Sequence, residues 1–63
     1  MLEVGMKIQT PSLLLRIDDM RSTWVRFEYW DTSKQEWKLR GYTEKKTVVE
    51  QKLESGDWIE VEE

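Results

Sequence analysis

The sequence holds no cysteine, no histidine and no alanine, and only one proline and three glycines among its 63 residues. Each gap excludes something. Without cysteine there is no disulfide and no thiol nucleophile; without histidine there is no imidazole base and no ordinary zinc site. The longest apolar run, Leu13-Leu14-Leu15, has three residues, far short of the roughly 20 that a membrane-spanning helix needs. The opening Met1-Leu2-Glu3-Val4-Gly5 carries neither the basic and apolar regions of a secretory leader nor a myristoylation glycine. Lack of cysteine suits a reducing compartment, so the expectation is a cytoplasmic protein. No repeat, low-complexity tract or linker interrupts the chain, and its length allows one domain, residues 1–63.

What is present is apolar and strongly aromatic. Twenty-four residues are apolar, and seven of them are aromatic, including four Trp. A large aromatic side chain buries roughly 150–250 Å², which offsets part of the handicap of a small chain without staples. That marginal size makes homodimerisation one of the readings to test. The net charge of −3 is uneven: residues 1–42 carry seven bases against six acids, and residues 43–63 carry three bases against seven acids. A general polyanion binder is usually strongly basic, so nucleic acid ranks below protein as a partner.

Along the chain, residues 3–9 alternate, with Val4, Met6 and Ile8 on one side of an extended segment. Thr10-Pro11-Ser12 breaks it, since proline cannot donate to a ladder. Leu13 to Met20 reads as a second strand, with Leu13, Leu15 and Ile17 on one face; Asp18 to Ser22 is polar enough to turn. Thr23 to Trp30 is dense in aromatic and β-branched residues and is the clearest strand. Val25, Phe27 and Tyr29 share one of its faces; Trp24, Arg26, Glu28 and Trp30 share the other. Asp31 to Gln35 reads as a five-residue hairpin loop, and Glu36 to Tyr42 returns as the partner strand. There Trp37 and Leu39 lie on one face and Lys38, Arg40 and Tyr42 on the other. The period then changes: Thr43 can cap a short helix starting at Glu44, with Val48, Val49 and Leu53 as its apolar stripe and Gly56 as its left-handed C-cap. Trp58 to Val61 alternates again as a last strand.

The expected fold is therefore mainly β: a strongly bent antiparallel five-stranded sheet, or a small SH3-like barrel, with one short helix before the last strand. A three- or four-stranded sheet capped by the helix is the alternative.

The opening Glu3-Val4-Gly5-Met6-Lys7-Ile8, the strand Trp24 to Trp30 and the close Val49 to Trp58, with its Leu53-Glu54-Ser55-Gly56-Asp57-Trp58 ending, resemble small accessory proteins encoded by phages and prophages. That resemblance spans most of the chain and implies an SH3-like barrel that binds or inhibits a host or phage factor. The chain departs from the barrel pattern at Pro11-Ser12, where a second glycine often stands.

Few constellations suggest chemistry. Asp18 and Asp19 offer oxygen to a hard cation, but adjacent residues of an extended chain point to opposite faces, and a polar turn is the simpler reading. Ser12, Ser22, Ser33 and Ser55 fall in turns or caps with no base to activate them. Glu28 and Glu36 lie among charged strand positions without sign of a cleft. The expectation is a non-enzymatic protein without metal or cofactor.

The central hairpin carries the functional expectation. Trp24, Arg26, Trp30, Lys38, Arg40 and Tyr42, joined by Arg16, are expected to project together as a partner-binding face. Trp, Tyr and Arg dominate interface hot spots, although the same rings could instead pack beneath the helix or close a barrel end. Burial of Trp and Tyr would supply affinity, and Arg26, Lys38 and Arg40 would meet acidic groups of a partner protein. A nucleic-acid binder, with bases stacked on the rings, and a self-associating structural protein are the alternatives. Trp58 is expected in the core beside Leu53. Glu50 and Glu54, one helical turn apart, read as a solvated helix face.

Overall fold

The strongest strand signal, Trp24 to Trp30, lies inside a five-stranded antiparallel sheet. The computed structural model describes residues 1–62, except for the side chains of residues 41 and 42. In chain order the elements are β1 (Lys7–Gln9), β2 (Leu14–Met20), β3 (Trp24–Asp31), β4 (Glu36–Lys45), α1 (Lys46–Ser55) and β5 (Ile59–Val61). The sheet order is β4-β3-β2-β1-β5. The first four strands form a meander, and the chain returns over α1 to lay β5 against β1. β4 and β5 each have one neighbour, so the sheet is open and not closed into a barrel.

One face of the sheet is the core. Ile8, Leu15, Ile17, Val25 and Phe27 project from β1, β2 and β3 and are at most 1% exposed; Leu2, Val49 of α1 and Trp58 complete the cluster. The Phe27 and Trp58 rings meet edge to face with centroids 6.1 Å apart, which adds an aromatic contact to their area burial. This places Trp58 where the sequence puts it.

Local chemistry sets the turns. Thr10 is buried, and its hydroxyl accepts the amides of Ser12 (3.3 Å) and Leu13 (2.9 Å), closing the turn that Pro11 begins. Asp31 accepts the Ser33 and Lys34 amides at 2.9 and 3.2 Å, an Asx turn. The Gln35 amide donates to the Asp31 carbonyl at 2.7 Å, and Gln35 takes φ 54°. α1 ends as expected at Gly56, which is left-handed with φ 87° and donates its amide to the Leu53 carbonyl at 3.3 Å.

Three boundaries differ from the sequence reading by more than one residue, and β2, β3 and β5 each begin one residue later than expected. α1 starts at Lys46, not Glu44, because Thr43, Glu44 and Lys45 extend β4 and pair with Arg26, Val25 and Trp24. Ladder pairing here prevails over the capping propensity of Thr43. The first strand is shortened to Lys7–Gln9 because Gly5, at φ 94°, turns the chain just before it. Asp18 and Asp19 lie within β2, with the turn after them.

Two irregularities bend the sheet. β2 carries an extra residue, Asp18, between the pairs Ile17↔Phe27 and Asp19↔Arg26. In β4, residues 40–42 oppose the single residue Phe27, between the pairs Arg26↔Thr43 and Glu28↔Leu39. Bulges of this kind increase local twist and curl the sheet around α1 and Trp58. No helix is long and apolar enough to cross a membrane among the described residues.

Candidate functional site

Because α1 and Trp58 cover one face of the sheet, the opposite face has no second layer among the described residues. Alternation along each strand and the pairing register decide what lies there. Pairing of Gln9 with Leu14 and with Ile59, and of Trp30 with Trp37, makes one row across the face; Lys7, Arg16, Glu28 and Leu39, with Val61 beyond Lys7, make the next. Leu39 and Ile59 are 59% and 62% exposed, while Leu14, Trp30, Trp37 and Val61 are half-buried.

The centre of this face is an ordered cluster. Trp30 and Trp37 stand directly opposite each other with ring centroids 5.3 Å apart at 66°. The Arg16 guanidinium reaches across β3 and lies 4.2 Å from the Trp37 ring centroid. Its Nε and Nη2 donate to Glu28 Oε1 at 3.0 and 2.8 Å. Arg16 is thus held between an aromatic plane and a carboxylate, and the planar guanidinium suits both contacts at once.

A second cluster lies beyond the bulges. Trp24 is 42% exposed with Lys45 Nζ 6.0 Å from its ring centroid, and Arg26 Nε donates to Asp18 at 2.8 Å. The extra residue at position 18 brings Asp18 to Arg26, while Asp19 pairs with Arg21 at 3.2 Å. Both aspartates therefore serve ion pairs. Among the described residues no three acidic side chains converge as a metal site.

Of the six residues expected to project together, Trp24, Arg26 and Trp30 share the outer face, and neither indole lies in the dry interior. Lys38 and Arg40 do not join them. Lys38 pairs with Tyr29 on the core side of the sheet and binds Asp31 Oδ2 at 3.1 Å. That bond and the Lys34 and Ser33 amides hold the Asp31 carboxyl below its ordinary value, and the same contact raises Lys38. Arg40 is half-buried; burial pushes its guanidinium down, and the nearby Glu44 carboxylate opposes the shift. The side chain of Tyr42 lies outside the described residues.

The hairpin sets this difference. A five-residue loop would align Trp30 with Glu36, and Lys38 would follow onto its face. The observed loop has four residues, 32–35, because Asp31 still belongs to β3 and pairs with Glu36. One residue of register moves every side chain of β4 to the other face. Trp37 and Leu39 therefore replace Lys38 and Arg40 on the outer face. The available signal was Asp31-Thr32-Ser33, an Asx-turn pattern in which the aspartate closes the strand.

Comparison with protein-family models, with curated proteins and with solved structures gave no match to this chain.

Proposed function

We propose that this chain is a non-enzymatic docking module that seats a partner protein on the outer face of its sheet, centred on Trp30, Trp37 and Arg16. The observation that carries this reading is an aromatic pair with a stacked arginine, held in fixed geometry on a sheet face that no other layer covers among the described residues. Rigid aromatic and Arg side chains lose little entropy on binding and concentrate interface energy. Leu14, Leu39 and Ile59 supply an apolar surround. The charges on the face, Lys7, Arg16, Arg26 and Lys45 against Asp18, Asp19 and Glu28, leave it net positive by one. The partner surface it fits is therefore apolar at its centre and acidic at its rim. A standard contact of about 800 Å² per side would cover roughly a sixth of the chain's 4515 Å² of accessible surface. The resemblance of the sequence to phage-encoded accessory proteins supports a host or phage factor as that partner.

The test is affinity capture from nuclease-treated lysate of the cells in which the protein acts, with wild type and the Leu39→Ser variant side by side. The reading expects a protein retained by wild type and lost with Leu39→Ser. Equal retention by both would refute it. So would a signal abolished by nuclease, which points to nucleic acid. A doubled mass in light scattering that Leu39→Ser reverts would assign the face to self-association instead.

A further inference from the structure

A second surface lies at the other end of the molecule, where α1, β5 and the first residues of the chain meet. Leu2 and Trp58 form the floor of a groove there, Met6 and Leu53 its walls, and exposed Met1 and Ile59 its lip. Three glutamates, Glu50, Glu54 and Glu60, stand around it, all exposed.

None of the three is ion-paired with a cation of the same chain among the described residues, a condition they share with Glu36 and Glu44 of β4. Asp18, Asp19, Glu28 and Asp31 are each matched to an Arg or Lys of the same chain. The nearby Lys52 ammonium lies over the Trp58 ring, 5.4 Å from its centroid. The groove is thus apolar inside and bordered by three carboxylates that no cation of the chain neutralises among the described residues.

We infer that this groove binds a cationic amphipathic helix, with the apolar stripe of the helix on Leu2, Met6, Leu53 and Ile59 and its Lys or Arg side chains against the three glutamates. Glu50 and Glu54 are one turn apart on α1, a spacing that meets basic residues placed i and i+4 on a facing helix. Methionine adapts its shape to such guests at low cost. Charge also disfavours a second copy docked symmetrically through the same groove, which would set glutamate against glutamate. Ile59 borders both this groove and the Trp30–Trp37 face, whereas Leu2, Met6 and Leu53 border the groove alone, so responses at Met6 and Leu53 separate the two proposals.

The probe is a synthetic helix with leucines along one face and lysines along the other, titrated into the full chain and followed by methyl NMR. Shifts are expected at Met1, Met6, Leu53 and Ile59, with Leu39 unmoved. A control helix carrying glutamate in place of lysine is expected not to bind. Replacing Glu50, Glu54 and Glu60 together with Gln should weaken the Leu/Lys helix about tenfold at low salt and remove most of its salt dependence. These side chains are exposed, so the variant keeps the fold, which its unperturbed Phe27 and Trp58 resonances verify. Equal binding of the two helices, unchanged affinity of the Gln variant, shifts centred on Leu39, or no binding would each overturn the inference.

Discussion

If the sheet has one dry face and one open face, the same truncation must cost very different amounts on the two sides. Leu15 and Leu39 allow that comparison with identical chemistry. Leu15 projects from β2 into the core and is 0% exposed; Leu39 projects from β4 onto the outer face and is 59% exposed. Leu15→Ala removes transfer free energy and leaves a cavity, a loss of about 2–5 kcal/mol. Leu39→Ala removes methyl groups that are already largely hydrated, and a substitution of that kind changes stability by about 0.5 kcal/mol or less. A chain of this length is stable by roughly 3–9 kcal/mol, so the core truncation consumes a large share of the total. In a thermal scan of a domain this small, 1 kcal/mol moves Tm by about 4–8 °C. Leu15→Ala should then lower Tm by at least about 8 °C and Leu39→Ala by less than about 4 °C. Urea unfolding followed by far-UV circular dichroism gives the same contrast as a midpoint shift at unchanged slope. Comparable losses for the two variants would refute the one-sided core, because they would mean that Leu39 is packed under something.

Three further outcomes follow from named contacts. A double-mutant cycle on Arg16 and Trp37 should return a coupling of about 0.5–1 kcal/mol, and Arg16→Lys, which keeps the charge but loses the planar stack, should forfeit most of it; zero coupling would contradict the stacked geometry. Gly56→Ala should cost about 1–2 kcal/mol, because φ 87° is strained for any side chain although a Cβ there meets nothing; a neutral or stabilising change would argue against the left-handed cap. Asp31 has a native carboxyl value below its ordinary 3.8, so its contribution is present above that pH and is lost as pH falls through the lower native value; Asp31→Asn should flatten the acid limb of the stability curve, and an unchanged limb would contradict the Lys38 contact.

The strands were legible in the sequence wherever a dense alternation left one choice of face. Val25-Phe27-Tyr29 against Trp24-Arg26-Glu28-Trp30 is such a case, and Ile8, Leu15 and Ile17 are others. Gly56 and Trp58 were legible because an αL cap and a following aromatic leave little freedom. The start of α1 was not, because Thr43-Glu44-Lys45 suits a cap locally and only the pairing offered by Trp24 to Arg26 makes it strand. Nor was the far half of the candidate site. Its content turns on whether Asp31 belongs to the loop or to β3, a single-residue question that hydropathy does not settle and an Asx turn does. The cluster of Arg16, Glu28 and Trp37 spans three strands, so no local window contains it.

The most direct measurement labels the four tryptophans with 5-fluorotryptophan and reads each fluorine's shift between H₂O and D₂O in the isolated chain, with assignments from single Trp→Phe variants. The largest response is expected at Trp24, intermediate responses at Trp30 and Trp37, and almost none at Trp58. A Trp30 or Trp37 as unresponsive as Trp58 would show the outer face to be dry and would contradict the docking surface.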